Sequence, residues 1–181
     1  MSTNERILSP FTLPNGTELK NRLLMAPMTT CTGYYDGTVT SELVEYYRAR
    51  SGSIGTIIVE CCFVDDLGLA FPGAIGIDND EKIAGLAKIA EAIKSKGSKA
   101  LLQIYHGGRM VDPKLIGGRT PVGPSAVAAP RDGAATPVAL TAEEVEGMIG
   151  KFGEAVRRAI QAGFDGVEIH GANTYLIQQF Y

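Results

Sequence analysis

Hydrophobic residues along the chain cluster into four short runs, each about as long as a single strand. Almost every position of the second and third runs is apolar, which is typical of parallel strands that are covered on both faces. The four runs are residues 23–26, 56–59, 100–104 and 166–169. Ahead of the first run, Pro14-Asn15-Gly16 lies between short apolar stretches and predicts a tight hairpin turn.

Between these runs, apolar residues recur at the spacing of an α-helix. The pattern predicts one helix capped by Thr40 or Ser41 and running to about Arg50, and a second over residues 80–96, with Gly97 as its natural stop. A third helix is predicted to begin at Thr141, where Thr141-Ala142-Glu143-Glu144 fits a capping box, and to end before Gly163. Its apolar stripe consists of Val145, Met148, Ile149, Phe152, Val156, Ala159 and Ile160. Strands that alternate with helices predict a parallel sheet with right-handed crossovers.

The number of strands limits the fold. The chain has 181 residues, whereas a complete TIM (β/α)₈ barrel needs eight strands and typically about 250 residues. Four parallel strands with crossover helices and an N-terminal hairpin therefore fit half of such a barrel, or a small open α/β sheet. We expect one partial domain over residues 1–181, truncated after strand four. Residues 107–137, rich in Gly and Pro, predict a long loop after the third strand.

Composition and charge restrict the possible classes of binding partner more than they restrict the fold. Hydrophobic residues make up 45% of the chain and charged residues 20%, which is an ordinary globular mixture. Seventeen basic and twenty acidic residues give a net charge of −3, and no basic stripe stands out. Nucleic acid and membrane surfaces are therefore not expected as partners. The three cysteines, with no secretory signal, favour a reducing cytoplasm.

Polar side chains follow all four predicted strands, at the edge where parallel α/β sheets bind ligands. On the first three strands these residues include Thr29, Cys61 and Gln103. After the fourth strand, His170 and Asn173 are spaced to direct two hydrogen-bond donors at one acceptor, such as a carbonyl oxygen. Tyr175 follows as a proton donor. No metal site is predicted, because the two histidines have no carboxylate at ligand spacing.

Four segments, in order, resemble the old yellow enzyme family of NAD(P)H-dependent FMN oxidoreductases. They are NRLLMAPMTT (21–30), EYYRARSG (45–52), LLQIYHGGR (101–109) and GFDGVEIHGANTYLIQQF (163–180). The resemblance runs from residue 9 to residue 181 and is closest to bacterial NADH:flavin oxidoreductases. It implies a TIM barrel with FMN at the carboxyl ends of the strands, and this chain would form the N-terminal half. The family's phosphate site would lie on later strands.

The resemblance implies a cofactor-binding role for residues on three strands. A hydroxyl at Thr29 would lie beside the flavin C4 carbonyl and raise the flavin potential. Gln103 would hydrogen-bond the pyrimidine edge of FMN, and the backbone at Cys61 would approach the flavin. The complete set implied for FMN is Ala26, Pro27, Met28, Thr29, Cys61 and Gln103.

For the reaction, the resemblance implies NADH or NADPH as reductant and an α,β-unsaturated carbonyl compound or a quinone-like molecule as acceptor. His170 and Asn173 would hold the carbonyl oxygen and stabilise the developing enolate, as an oxyanion hole does. Tyr175 would protonate the α-carbon. Thr174 stands at a position where the family often has glycine.

Simpler structural roles are open for the same residues. Residues 27–28 can end a strand and fill a core, and Gln103 can satisfy neighbouring backbone groups. Tyr175 can be a packed aromatic residue. His106 and Arg109 can brace the long loop.

Three functions are therefore weighed. The first is an FMN-dependent ene-reductase. The second is a truncated, catalytically incomplete half-barrel that functions only by association or not at all. Its open sheet edges favour pairing, for example as a homo-oligomer. The third is a TIM-barrel enzyme acting on a phosphorylated substrate, which the ordered flavin motifs disfavour.

Overall fold

The computed structural model describes residues 3–181, and its main sheet consists of four parallel strands. In chain order the helices and strands are α1 (Thr3–Leu8), β1 (Phe11–Thr12), β2 (Glu18–Leu19), β3 (Leu24–Met25), α2 (Ser41–Arg50), β4 (Thr56–Phe63), α3 (Ile83–Lys94), β5 (Lys99–Tyr105), β6 (Val122–Gly123), β7 (Val138–Ala139), α4 (Ala142–Gln161) and β8 (Gly166–Ile169). The parallel strands lie in the order β3-β4-β5-β8. This confirms the predicted α/β sheet with crossover helices.

The predicted hairpin lies ahead of the parallel sheet. β1 and β2 pair in antiparallel fashion, with Phe11 opposite Leu19. Gly16 has a φ of +85°, a left-handed conformation that glycine adopts without a steric penalty. Asn15 and Gly16 thus form the turn that the sequence predicts.

The hydrophobic core lies between the parallel sheet and helices α2, α3 and α4. Ile57 and Val59 of β4, and Leu102 and Ile104 of β5, are fully buried in it. The helices contribute a matching set of buried side chains, among them Leu43, Leu86, Ile89, Ile93, Ala155 and Ala159. Because this face of β4 and β5 is covered by helices, their polar and functional side chains are concentrated on the other face and at the strand ends.

The helix that begins at Thr141 has the predicted capping box. The Thr141 hydroxyl accepts a hydrogen bond from the Glu144 N–H (3.2 Å), and the Glu144 carboxylate accepts one from the Thr141 N–H (2.7 Å). The same backbone hydrogen bond lowers the pKa of Glu144. The helix predicted over residues 80–96 is shorter than expected: a 3₁₀ turn precedes α3, which ends at Lys94.

One flank of the predicted apolar stripe on α4 is exposed, although the sequence predicts that it is buried. Ile149 is 60% exposed and Ile160 is 64% exposed. These residues are eleven apart, close to three helical turns, so they lie on the same flank. Within residues 3–181, only a 3₁₀ turn at Gln178–Phe180 follows β8, so there is no further strand or α-helix to cover that flank. Ala155, which the stripe omitted, is buried instead.

Strand β4 is longer than the sequence suggests, and it contains a bulge. Val59 pairs with Leu102 and Cys62 pairs with Ile104, so two residues of β4 lie opposite one residue of β5. Pairing continues to Phe63. Cys61 therefore lies inside the strand and not beyond it. Bulges are common next to active sites because they redirect a side chain.

The segment 107–137 is a long loop, as predicted. Its described residues contain two 3₁₀ turns and strand β6, which pairs with β7 just beyond the loop. Within residues 3–181, no helix is both long enough and apolar enough to cross a membrane.

Candidate active site

The predicted site residues lie in or just beyond the four parallel strands, towards their carboxyl ends. The segment 26–29 follows β3, Cys61 lies in the bulge of β4, Gln103 lies in β5, and His170 follows β8 directly. The bulge places Glu60 and Cys61 opposite Gln103. The topology therefore brings residues from all four strands to one end of the sheet.

Thr29 and Cys61 link the first two strands of the site. Thr29 Oγ1 lies 3.2 Å from Cys61 Sγ, within hydrogen-bonding distance. Burial raises the pKa of the Cys61 thiol to about 11, although the contact with Thr29 opposes this rise. Cys61 is therefore a neutral thiol at pH 7 and not a reactive thiolate.

Gln103 joins the third and fourth strands. It lies directly opposite Glu168 in the β5–β8 register, and its Nε2 donates a hydrogen bond to the Glu168 carboxylate (2.7 Å). The side chain is buried. Glu168 holds the Gln103 amide in a fixed orientation, a partnership that the sequence reasoning missed because β-register is not readable from one strand.

His170 and Asn173 are brought together after β8. The Ala172 N–H donates to His170 Nδ1 (3.2 Å), so the neutral ring carries its proton on Nε2. Burial lowers the pKa of His170, which favours that neutral form. Asn173 Nδ2 lies 3.5 Å from His170 Nε2. Two donors cannot satisfy each other, but at this separation both can reach one acceptor oxygen.

Tyr175 packs in an aromatic cluster beside this donor pair. Its ring centroid lies 4.9 Å from that of His170 and 5.3 Å from that of Tyr105, and Phe71 meets its ring edge-to-face at 6.3 Å. Burial raises the pKa of Tyr175 to about 12, and the nearby Cys61 adds to the rise. The phenol therefore keeps its proton at neutral pH. Tyr175 is thus a packed aromatic residue whose phenol is protonated beside His170, and its role as a proton donor stays a prediction.

The segment after β3 forms the exposed part of the site. Ala26 is exposed, Pro27 is half-buried and Met28 is 63% exposed. A long apolar side chain with this exposure does not fill a core, so the simpler packing role is wrong for Met28. That these three residues lie against a flavin stays a prediction.

His106 and Arg109 have the bracing role that the sequence left open. His106 is buried, and its Nδ1 accepts a hydrogen bond from the Gly108 N–H (3.0 Å). Its backbone carbonyl accepts from the Leu176 N–H (3.0 Å), which ties the loop after β5 to the loop after β8. Arg109 Nη1 reaches the Val127 carbonyl at 3.4 Å.

Two supporting pairs were not predicted. Tyr47 of α2 hydrogen-bonds Glu60 inside the β4 bulge. Gln178 and Gln179 hydrogen-bond the backbone of Thr174. The contacts of Gln178 and Gln179 with Thr174 could have been suspected from the sequence, because both glutamines lie four or five residues after Thr174 in the segment that carries the site.

Comparison with known proteins identifies the family. Residues 6–181 match the sequence profile of the NADH:flavin oxidoreductase / NADH oxidase family. The chain belongs to this family. It is 87% identical over 181 residues to NADH:fumarate oxidoreductase of Klebsiella pneumoniae (strain 342), a match that covers 100% of this chain and 20% of that relative. It is 59% identical over 176 residues to NADH:acrylate oxidoreductase of Vibrio harveyi, covering 97% of this chain and 18% of the relative.

Solved structures agree with the family assignment. The old yellow enzyme homologue from Zymomonas mobilis superposes with a TM-score of 0.88 at 35% identity, covering 96% of this chain and 50% of that structure. This chain thus spans about a fifth of the two curated relatives and half of the solved neighbour. The family resemblance and the N-terminal half of a TIM barrel are both confirmed. At the level of the family, so are FMN as cofactor and NAD(P)H as reductant.

The donor set at the strand ends fits the ring system of FMN. An aromatic ring with polar edges needs apolar surface and hydrogen-bonding groups, and the site offers exposed Met28, the Thr29 hydroxyl and the Gln103 amide. The FMN phosphate needs cationic or N–H donors. Among the predicted site residues none carries a positive charge at pH 7, because His170 is neutral. These residues therefore fit the ring and not the phosphate.

Proposed function

We propose that this chain supplies the ring-binding and substrate-activating part of an FMN-dependent oxidoreductase. The reaction moves a hydride from NADH through FMN to an alkene conjugated with a carbonyl or carboxyl group. The observation that carries the proposal is the pair of donors, His170 Nε2 and Asn173 Nδ2, 3.5 Å apart beside protonated Tyr175. This arrangement suits one oxygen acceptor and a proton delivered nearby.

Ala26, Pro27, Met28 and Cys61 would contact the flavin ring, with Thr29 and Gln103 bonding its polar edge. When bound, FMN supplies hydride-transfer chemistry, with two electrons and one hydrogen passing from the reductant to the alkene β-carbon. His170 and Asn173 donate hydrogen bonds to the substrate oxygen, where negative charge develops. Tyr175 Oη gives its proton to the α-carbon and regains one from solvent, so the alkene gains two hydrogens in total. Glu168 fixes the orientation of the Gln103 amide.

The names of the relatives support the acceptor class. Fumarate and acrylate, which appear in them, are both alkenes conjugated to a carboxyl group. Both names also specify NADH, which favours NADH over NADPH for this chain. Three free cysteines, Cys31, Cys61 and Cys62, support a reducing cytoplasm as the setting.

The direct test is the visible absorption spectrum of the purified chain with and without added FMN. A protein-bound flavin band that bleaches with NADH and returns with fumarate, acrylate or cyclohexenone supports the proposal. In the full-length protein, the double variant His170→Ala/Asn173→Ala should lose acceptor turnover and keep its FMN. Turnover at the wild-type rate in that variant would remove the assigned role of the donor pair.

The second candidate is a half-barrel that is catalytically incomplete and acts only by association. Its support is apolar surface at the β8 edge, where Ile169 is 57% exposed and borders a cavity of about 220 Å³. The cavity is lined only by apolar residues, including Ile149 and Phe152 of α4 and Phe180. Apolar surface of this kind is typical of an interface. The predicted site residues fit the flavin ring and not its phosphate, which agrees with this candidate too.

Light scattering of the 181-residue chain separates the candidates when it is combined with the FMN titration. A dimer that binds FMN would favour a homo-oligomeric site. A colourless protein that ignores FMN, whatever its size, would mean that the site needs residues outside this chain.

A further inference from the structure

The turn that carries the donor pair contains two consecutive residues in a left-handed conformation. Asn173 has a φ of +53° and Thr174 a φ of +60°. Asparagine tolerates this region, but threonine is β-branched and rarely adopts it. Something must therefore hold Thr174 in place, because its own preference opposes the conformation.

The side chains of Gln178 and Gln179 form hydrogen bonds with the two backbone polar groups of Thr174. Gln178 Oε1 accepts a hydrogen bond from the Thr174 N–H (2.6 Å). Gln179 Nε2 donates to the Thr174 carbonyl (2.6 Å). One glutamine acts as acceptor and the next as donor, so the peptide groups on either side of Thr174 are fixed.

Gln179 also ties this turn to the loop after β5. Its Nε2 donates to the Gly107 carbonyl (3.2 Å), and its Oε1 accepts from the Arg109 N–H (3.1 Å). Gly108, with a φ of +58°, leaves room for this side chain, because a Cβ there would overlap with the Gln179 amide. Both N–H groups of the Gln179 amide are thus engaged with carbonyls of two different loops.

We propose that Gln178 and Gln179 are positioning residues that hold Thr174 left-handed and thereby set the placement of Asn173 and Tyr175 around the substrate oxygen. This inference rests on the proposed function. Thr174 lies between Asn173, the proposed hydrogen-bond donor, and Tyr175, the proposed proton donor, in the chain. A rotation about its backbone would move His170 and Asn173, which precede it, relative to the Tyr175 ring, which follows it.

The isosteric variants Gln179→Glu and Gln178→Glu test the two hydrogen-bonding roles separately. At pH 8 a carboxylate at position 179 cannot donate and faces two carbonyl oxygens. In the FMN-loaded full-length protein, Gln179→Glu should therefore raise the KM for the alkene acceptor roughly tenfold, about the effect of one or two lost hydrogen bonds. A carboxylate at position 178 still accepts from the Thr174 N–H. The increase in KM caused by Gln178→Glu should therefore be at least fivefold smaller than that caused by Gln179→Glu.

Rescue by glycine distinguishes positioning from packing. Glycine adopts a positive φ freely, so Thr174→Gly makes the two glutamines unnecessary for this conformation. Gln179→Ala also removes the donor to the Thr174 carbonyl and should raise the KM as Gln179→Glu does. In the Thr174→Gly background this increase should shrink to within about threefold, since the lost bonds no longer decide the backbone conformation. An undiminished defect in that background would overturn the proposal.

Amide hydrogen exchange in the FMN-free protein provides a readout that does not depend on turnover. The peptide containing Thr174 should exchange at least tenfold faster in Gln178→Ala than in wild type, with the helix α4 peptides unchanged as the internal reference. If the wild type shows no acceptor turnover, the proposed function fails, but the exchange result still decides whether the glutamines hold Thr174. Equal exchange rates would reject the positioning role.

Discussion

Tyr47 forms two hydrogen bonds with a single residue, Glu60. Its hydroxyl accepts from the Glu60 N–H (2.8 Å) and donates to the Glu60 carboxylate (3.2 Å). Both residues are buried, and burial raises the pKa of the Tyr47 phenol and of the Glu60 carboxyl. The pair joins helix α2 to the β4 bulge, one residue before Cys61, and so fixes the strand where the site begins.

Removing the Tyr47 hydroxyl should therefore destabilise the fold. Tyr47→Phe leaves the Glu60 N–H and one carboxylate oxygen without this buried partner. We expect the free energy of unfolding to fall by about 1–3 kcal/mol, measured by urea denaturation. Tyr35→Phe is the matched control, because Tyr35 is 82% exposed. Equal unfolding midpoints for the two variants would contradict a supporting role for Tyr47.

Glu60 should also give the stability a measurable pH dependence. Its pKa in the folded protein is raised, mainly by burial, above the ordinary value of 4.5. The folded state therefore binds the proton more tightly, so this contribution to stability is present below pH 4.5 and is lost as pH rises through the raised pKa. Glu60→Gln cannot titrate. The stability of Glu60→Gln relative to wild type should increase between pH 4.5 and pH 8, as measured by urea unfolding at each pH, and a constant difference would contradict this account.

The capping box of α4 offers a test of local stability. Thr141→Ala removes the hydroxyl that accepts from the Glu144 N–H. Loss of an N-cap side chain typically costs about 1 kcal/mol, so the urea midpoint should fall accordingly. Thr141→Ser keeps the hydroxyl and should recover most of the loss. A Ser variant as unstable as the Ala variant would show that the methyl group, and not the cap, matters.

Much of the fold could be predicted because its signals are local. The capping box at Thr141, the turn at Gly16 and the apolar runs of β4 and β5 each depend on a few neighbouring residues. The ends of β4 and α3 could not be placed, since the sheet register and a 3₁₀ turn decide them. The exposure of Ile149 was missed for another reason: periodicity shows that a flank is apolar, but not whether an element covers it.

In the candidate site too, local features could be predicted from the sequence and long-range contacts could not. The His170–Asn173 spacing predicted a converging donor pair, and the structure brings the two side chains together. The hydrogen bond from Gln103 to Glu168 depends on strand register, and the hydrogen bond from Gln179 to the Thr174 carbonyl depends on a loop conformation. Neither leaves a pattern in one sequence. Their roles towards a bound flavin or substrate stay predictions.

Tyr175 provides the sharpest test of the chemistry. Tyr175→Phe keeps the ring that packs on Tyr105 and His170 but removes the proton donor. In the FMN-loaded full-length protein, kcat for alkene reduction should fall by roughly 10²–10⁴, the usual contribution of a positioned acid, with FMN affinity unchanged. Because the pKa of Tyr175 is raised to about 12, its proton is retained up to high pH, and the wild-type rate should show no descending limb from this group between pH 7 and about 10. Tyr35→Phe serves again as the exposed control. A Tyr175→Phe variant with wild-type kcat would assign the proton to another group or to solvent.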